Sequence, residues 1–452
     1  MGKKPTAAAA AAQGPSKRAK RNFADFEISS VSSAESDEDD DDDGRDVRAQ
    51  ETAEPEETPD EMRIRMAKDL LRVVEERTGG ASKHDDDDDA DGLDAVTRQL
   101  HHDILESEGR LRRECVAPLR SALAQGKPVE RTSGRGRHRL SATGICVSED
   151  ETAAYSGSKD GEVAAWDVAS GAKTWSARTR DACLCVAVSQ DGRLLASAGG
   201  DAVHVWDTRE RAAAPVRSLT GHRDLVGCLA FRLGTHVVLS GSMDRTVRVW
   251  NAAEGSFVEQ LFGHQAPITG VDCLARERAV TCSQDLTVRL WKIPEESHLV
   301  LSGKHYASVD AVRMLDESCF ASGSQDGSLA LWHSSKRKPA CVVTEAHGQG
   351  HWINAVAVVR NADLLASGSD DGVVRLWAVD LPALRIDPEP VAALEVAGNV
   401  NGLAFGQKTG RVLAVAHGQE HRLGRWRKHA GTRNGVCFFA LPAAAAAAAM
   451  NE

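Results

Sequence analysis

SGSMDRTVRVW, Ser240 to Trp250, is the stretch on which the reading of this chain turns. Its small residues and Asp244 build a tight turn, and Val247 and Val249 alternate with polar neighbours as in a half-buried strand. The string returns as SGSKDGEVAAW ending at Trp166, TCSQDLTVRLW at Trp291, SGSQDGSLALW at Trp332 and SGSDDGVVRLW at Trp377. A copy one residue shorter, SAGGDAVHVW, ends at Trp206, and a worn one, AHGQEHRLGRW, ends at Trp426. Successive tryptophans stand about 40 to 49 residues apart, the period of a propeller or a solenoid.

A histidine precedes several of these tryptophans by about 27 or 28 residues: His138, His222, His264 and His305. Residues of these types can share one buried hydrogen-bond chain, from histidine to hydroxyl to carboxylate with the indole N–H as a further donor. The expected sets are His222, Ser240, Asp244 and Trp250; His264, Thr281, Asp285 and Trp291; and His305, Ser322, Asp326 and Trp332. The pattern resembles the WD-repeat family, in which such a tetrad ties each four-stranded blade together. Seven copies imply an all-β, seven-bladed WD40-type β-propeller. The shorter second copy lacks a histidine in place, and before the sixth His347 and His351 both stand about two residues off register. A Ser-His-Asp hydrolase is set aside because a catalytic triad is needed once, whereas this set recurs with a tryptophan attached.

The formal charge of −11 is uneven, with about −9 on residues 1–137, so the ring itself is nearly neutral and any nucleic-acid contact has to come from local patches. The ten cysteines form no C-x-x-C pair and sit among apolar residues, as core thiols of a reducing compartment do. Cys183 and Cys185 are expected on one side of one strand. No strongly apolar run of spanning length is present.

Residues 1–59 read as a disordered arm. It holds a basic cluster of nuclear-import type, Lys17, Arg18, Lys20 and Arg21, then serines running into Asp37–Asp43, where Ser36 suits an acidophilic kinase. A calcium loop is rejected because the closing position counted from Asp39 is Gln50, not a glutamate. Residues 60–136 read as a helical and acidic linker, with helical spacing at Met62, Met66, Leu70 and Val73 and again from Leu93 to Leu111. The propeller is placed at 137–441 and a low-complexity tail at 442–452. The outer strand of the last blade is either Val436 to Leu441 or a strand from about 127–134; the second would close the ring by joining the chain ends.

GHRDLVGCLAFRLGTH (from Gly221), FVEQLFGHQAPI (from Phe257), VRLWKIPEESHLV (from Val288) and GQEHRLGRW followed by RKHAGTRNGVCFFAL (from Gly418) are similar to the WD-repeat proteins that interact with U3 small nucleolar RNA. That resemblance implies a nucleolar, non-catalytic subunit of the U3 ribonucleoprotein, with no cofactor and no metal. It would bind the box B/C region of U3 RNA beside a kink-turn-binding small nucleolar ribonucleoprotein subunit. Within the small-subunit processome it would support pre-rRNA processing, as a monomer within the particle and away from any membrane. The densest basic segment of the ring is Arg422, Arg425, Arg427, Lys428, His429 and Arg433, around Trp426; such groups neutralise phosphates and stack on splayed bases. Lys336-Arg337-Lys338 is a second basic run. Two rival readings differ in partner. Trp206-Asp207-Thr208-Arg209 matches the W-D-x-R ending of propeller receptors of cullin-type ubiquitin ligases, and a nuclear peptide- or histone-binding scaffold would have the same ring.

Overall fold

In the computed structural model, residues 112–303, 305–424 and 426–442 are described. The basic cluster at residues 17–21, both acidic runs and the helical patterns before residue 112 lie outside them, as do Arg425 and the alanine tail. Seven antiparallel sheets follow one another along the chain, and the expected seven-bladed propeller is the observed fold. Blade three is representative: Val226–Phe231, Val237–Ser242, Thr246–Asn251 and Ser256–Phe262 pair in sequence order from the inside of the ring outwards.

The recurring string owes its residue types to packing between blades. The tryptophan that ends each of the first six copies is at most 2% exposed and joins an apolar cluster with the preceding blade, Trp250 against Val203 and Val205, Trp291 against Leu239 and Val249. Burying an indole removes roughly 150–250 Å² from water, so these rings dominate the contact between blades. The glycine of Ser-Gly-Ser is there for close approach. A Cβ on Gly241 would stand 2.7 Å from Ile268 Cγ2 of the next blade, and one on Gly368 would stand 2.4 Å from Val400 Cγ1.

The seventh blade corrects the sequence reading. Trp426 does not end a strand: it is 61% exposed, and the blade's third strand is Gly435–Ala440. Phe439 takes the place that a tryptophan has in the other blades, opposite Leu413 as Trp377 is opposite Leu365. The fourth strand is Glu130–Ser133, in register from Glu130 opposite Ala440 to Ser133 opposite Cys437. Of the two closures the sequence allowed, the structure has the one that joins the two ends of the ring, and the propeller begins upstream of residue 137. A helix within the region read as a helical linker, Val116–Ala124, precedes it and buries Val116 and Leu119 against blades six and seven. Its N-terminus has no side-chain cap of its own; Asp363 accepts from the Cys115 and Val116 N–H groups at 2.7 and 3.1 Å.

All ten cysteines are free, and burial pushes the buried thiols up, that of Cys183 to about 12. Cys183 and Cys185 do not share a strand face, because the strand starts only at Cys185; the first thiol packs towards blade one and the second towards blade three. Among the described residues no helix is long and apolar enough to cross a membrane.

Candidate nucleic-acid interface

The tetrads sit where each blade's second strand turns into its third. His222 bonds Ser240 Oγ at 2.7 Å through Nε2 and Asp244 at 2.9 Å through Nδ1, and the Trp250 indole donates to Ser240 Oγ at 2.8 Å. His264, Thr281, Asp285 and Trp291 repeat this at 2.8–2.9 Å. His305 departs from it. Its Nε2 meets Ser322 Oγ at 2.8 Å, but its Nδ1 meets Ser328 Oγ at 2.6 Å, and Ser328 in turn donates to Asp326. Asp326 therefore acts one hydroxyl away from the ring that the sequence paired it with. In blade one Glu162 stands in for the aspartate, 2.8 Å from His138 Nδ1. Burial works to raise the Glu162 pKa, but bonds from His138 and Lys173 outweigh it and hold it at about 2. Asp160 brings a third ligand atom within 4.8 Å of these two, yet both His138 nitrogens are already bonded and Lys173 already neutralises Glu162. In blade six His347 completes the tetrad, at 2.7 Å from Ser367 Oγ and 3.0 Å from Asp371.

The corresponding turn of blade seven is different in kind. Between Val412–Gly418 and Gly435–Ala440 the chain runs out as a loop, 419–434, on the face from which the tetrad turns emerge. This loop contains the basic segment singled out in the sequence. Its base is gripped by the blade's innermost strand: Asn399 donates to Gln419 O at 3.2 Å and Asn401 to Glu420 O at 2.9 Å. Lys159 of blade one donates to Gly424 O at 3.1 Å and stands 3.7 Å from the Glu420 carboxylate.

The basic residues then separate into two groups. Arg422 turns inward and donates to Asp310 O at 2.8 Å and Thr269 O at 3.2 Å, on the innermost strands of blades five and four. It closes the mouth of the central channel, so its guanidinium belongs to the ring and not to a surface patch. Arg427, Lys428 and Arg433 are exposed. Arg427 pairs with Asp370 and donates to Gly350 O at 3.0 Å, and its guanidinium lies 5.9 Å from the centre of the Trp352 ring. Lys428 is 60% exposed and 4.0 Å from Glu420. His429 is half-buried, with its backbone N–H on Gln419 O at 2.9 Å.

Sequence reading missed the aromatic half of this surface. Trp426, Trp352 of blade six and His421 form a cluster with ring centres 5.4–6.1 Å apart. Gly424 permits it, since a Cβ there would press the Trp426 ring at 2.9 Å. His421 is 3% exposed; burial, then the charges of Arg422 and Lys159, push its pKa down to about 3, so it is neutral. An open indole on a neutral base, edged by Arg427 and Lys428, offers a face for a planar ring and charges for phosphate. Lys336, Arg337 and Lys338 are exposed, but between the third and fourth strands of blade five, on the other face of the ring.

Comparison with known proteins agrees with this architecture. The model of the WD domain, G-beta repeat, matches residues 172–207, 213–251, 255–292 and 340–378. The chain is 34% identical to a U3 snoRNP-associated protein-like protein of Arabidopsis thaliana, over 85% of this chain and 86% of the relative. It is 36% identical to U3 small nucleolar RNA-interacting protein 2 of Homo sapiens, over 85% of this chain and 83% of the relative. The solved structure of U3-55K superposes with a TM-score of 0.66 at 41% identity, covering 69% of this chain and 98% of that one.

Proposed function

The chain belongs to the family of WD-repeat proteins associated with the U3 small nucleolar ribonucleoprotein, and from that premise we propose that it is an RNA-binding, non-catalytic subunit of that particle. The reading extends to the box B/C region of U3 RNA as the bound element, a kink-turn-binding subunit as neighbour and the nucleolus as location. Its work there is assembly of the small-subunit processome for pre-rRNA processing. The observation that carries it is the 419–434 loop: an indole 61% exposed, on a loop that also carries the exposed Arg427, Lys428 and Arg433. Bases stack on aromatic faces while arginine and lysine neutralise phosphates, and neither contact requires a bond to be made or broken.

The test is binding of a U3 RNA transcript to the full chain as a function of salt. Replacing Arg427, Lys428 and Arg433 by alanine should lower affinity at least tenfold. The dependence of log affinity on log salt should become shallower by about 0.7 for each phosphate left without its cation. Because Arg427 neutralises Asp370, the Lys428→Ala, Arg433→Ala pair is measured beside it as a variant without that structural cost. Unchanged affinity in both variants, each with an unaltered melting profile, would remove the assignment.

A further inference from the structure

A second concentration of positive charge lies on the same face, at the rim between blades three and four. Arg223, Arg245, Arg248, Gln260, Phe262 and Gln265 line a groove there. The residue after the tetrad histidine is an arginine in blades one and three, Arg139 and Arg223, but Gln265, Tyr306 and Gly348 in blades four to six. The turn position with positive φ is glycine in blades one, five and six, at 78° for Gly161, 76° for Gly327 and 78° for Gly372. In blade three it is Arg245, at 69°, and in blade four Leu286, at 63°, a region costly to any residue with a side chain. The position thus admits a side chain in two blades, and in blade three that side chain brings a guanidinium to the groove.

The side chains of Arg223 and Arg245 have no acceptor and no ion pair among the described residues, and both are exposed. Asp244, the nearest tetrad carboxylate, is engaged by His222, by Thr246 and by the Arg223 N–H at 3.1 Å, and Asp224 turns to the Leu225 N–H at 2.8 Å. Arg248 forms the inner wall, 5.8 Å from the Trp250 ring and 5.6 Å from Phe257. Its counterparts Arg289 and Arg375 approach their own blades' aspartates at 4.0 and 3.8 Å; Arg248 forms no such pair among the described residues. At the outer lip Phe262 is 67% exposed, an aromatic face beside unneutralised arginines.

We propose that this rim groove is a second RNA contact, in which Arg223 and Arg245 hold phosphates and Phe262 stacks on a base. It rests on the reading of the chain as an RNA-binding subunit, and assigns the RNA a path that reaches beyond the 419–434 loop. The chain's own acidic run, Asp37–Asp43, matches the charge but has no planar or apolar side chain for Phe262, whereas every nucleotide has both groups.

Arg245→Gly makes a clean test because it installs the residue that three other blades have at that turn. In the full chain, the Arg223→Gln, Arg245→Gly double variant should melt at or above the wild-type temperature. It should bind a U3 RNA transcript about tenfold more weakly, with a salt slope shallower by about 1.4 for two phosphates no longer neutralised. Phe262→Ala should lower affinity without changing that slope. The loop variant Lys428→Ala, Arg433→Ala is run in parallel. If it loses binding while the rim variants keep wild-type affinity and slope, the rim proposal is overturned and the loop reading stands. If a labelled peptide of residues 36–43 binds wild type but not the double variant, with RNA affinity unchanged, the groove belongs to the acidic arm and the proposal is equally overturned. Wild-type protein that fails to bind U3 RNA would overturn the underlying reading itself.

Discussion

An indole 61% exposed at Trp426 shares a chain with six tryptophans that are at most 2% exposed. The six are held by a hydroxyl that accepts the indole N–H and by an apolar wall from the preceding blade; among the described residues Trp426 has ring partners, at 5.4 and 5.8 Å, and no hydroxyl on its indole N–H. Their substitutions should separate accordingly. Trp250→Ala empties a core site and should cost about 3–5 kcal/mol of stability. Trp426→Ala should stay within about 0.5 kcal/mol in urea unfolding, yet weaken RNA binding by the roughly 1–3 kcal/mol of one stacked base. Equal effects on stability and binding for Trp426 would argue for a structural ring instead. Residue identity alone misplaces other positions at this scale. Asp326 acts through Ser328, and Glu162 rather than Asp160 meets His138, because side-chain reach decides which carboxylate arrives.

Among the elements, the short strand Glu130–Ser133 has the largest consequence for its length. It supplies the outer edge of blade seven from the other end of the ring, so the propeller closes by hydrogen bonds between chain ends. A chain lacking residues 1–134 loses that strand and leaves Gly435–Ala440 as a bare edge. Its melting midpoint should fall by about 5 °C or more, with faster aggregation on heating, as followed by circular dichroism and light scattering. A midpoint equal to that of the full chain would show that closure contributes nothing. The 419–434 loop is the converse case. It belongs to no sheet, and its form comes from Asn399, Asn401 and Lys159 reaching in from two blades.

For the molecule as a whole, the buried histidines set how stability responds to acid. His421 and His417 are pushed down to about 3 and 4 by burial and neighbouring cations, and His222, His264 and His305 are lowered by burial as well. Unfolded, each takes up a proton near the ordinary 6.5, while the native state refuses it. Their contribution is complete above that pH and is lost as pH falls from there towards 3. The tetrad carboxylates add a second, lower window. Asp244 and Glu162 are held at about 2, because their bonds outweigh burial, and stabilise the fold above the ordinary carboxylate range; that support goes as pH falls from about 4 to 2. Urea midpoints should therefore decline between pH 6.5 and 4, and His421→Phe should flatten that decline. An unchanged slope would mean that His421 is protonated in the native state.

The repeat string by itself determined the fold class, the number of blades and most tetrad members, because period, turn residues and strand alternation are local properties that recur in each copy. It also marked the basic segment around Trp426. Only the tertiary structure decided which strand closes the ring, which histidine serves blade six, and that Arg422 enters the channel while Lys428 and Arg433 face out. Each of those depends on partners far away in the chain, Asp310 for Arg422 and Ala440 for Glu130, and no spacing within a single repeat encodes which distant group will stand within hydrogen-bond reach.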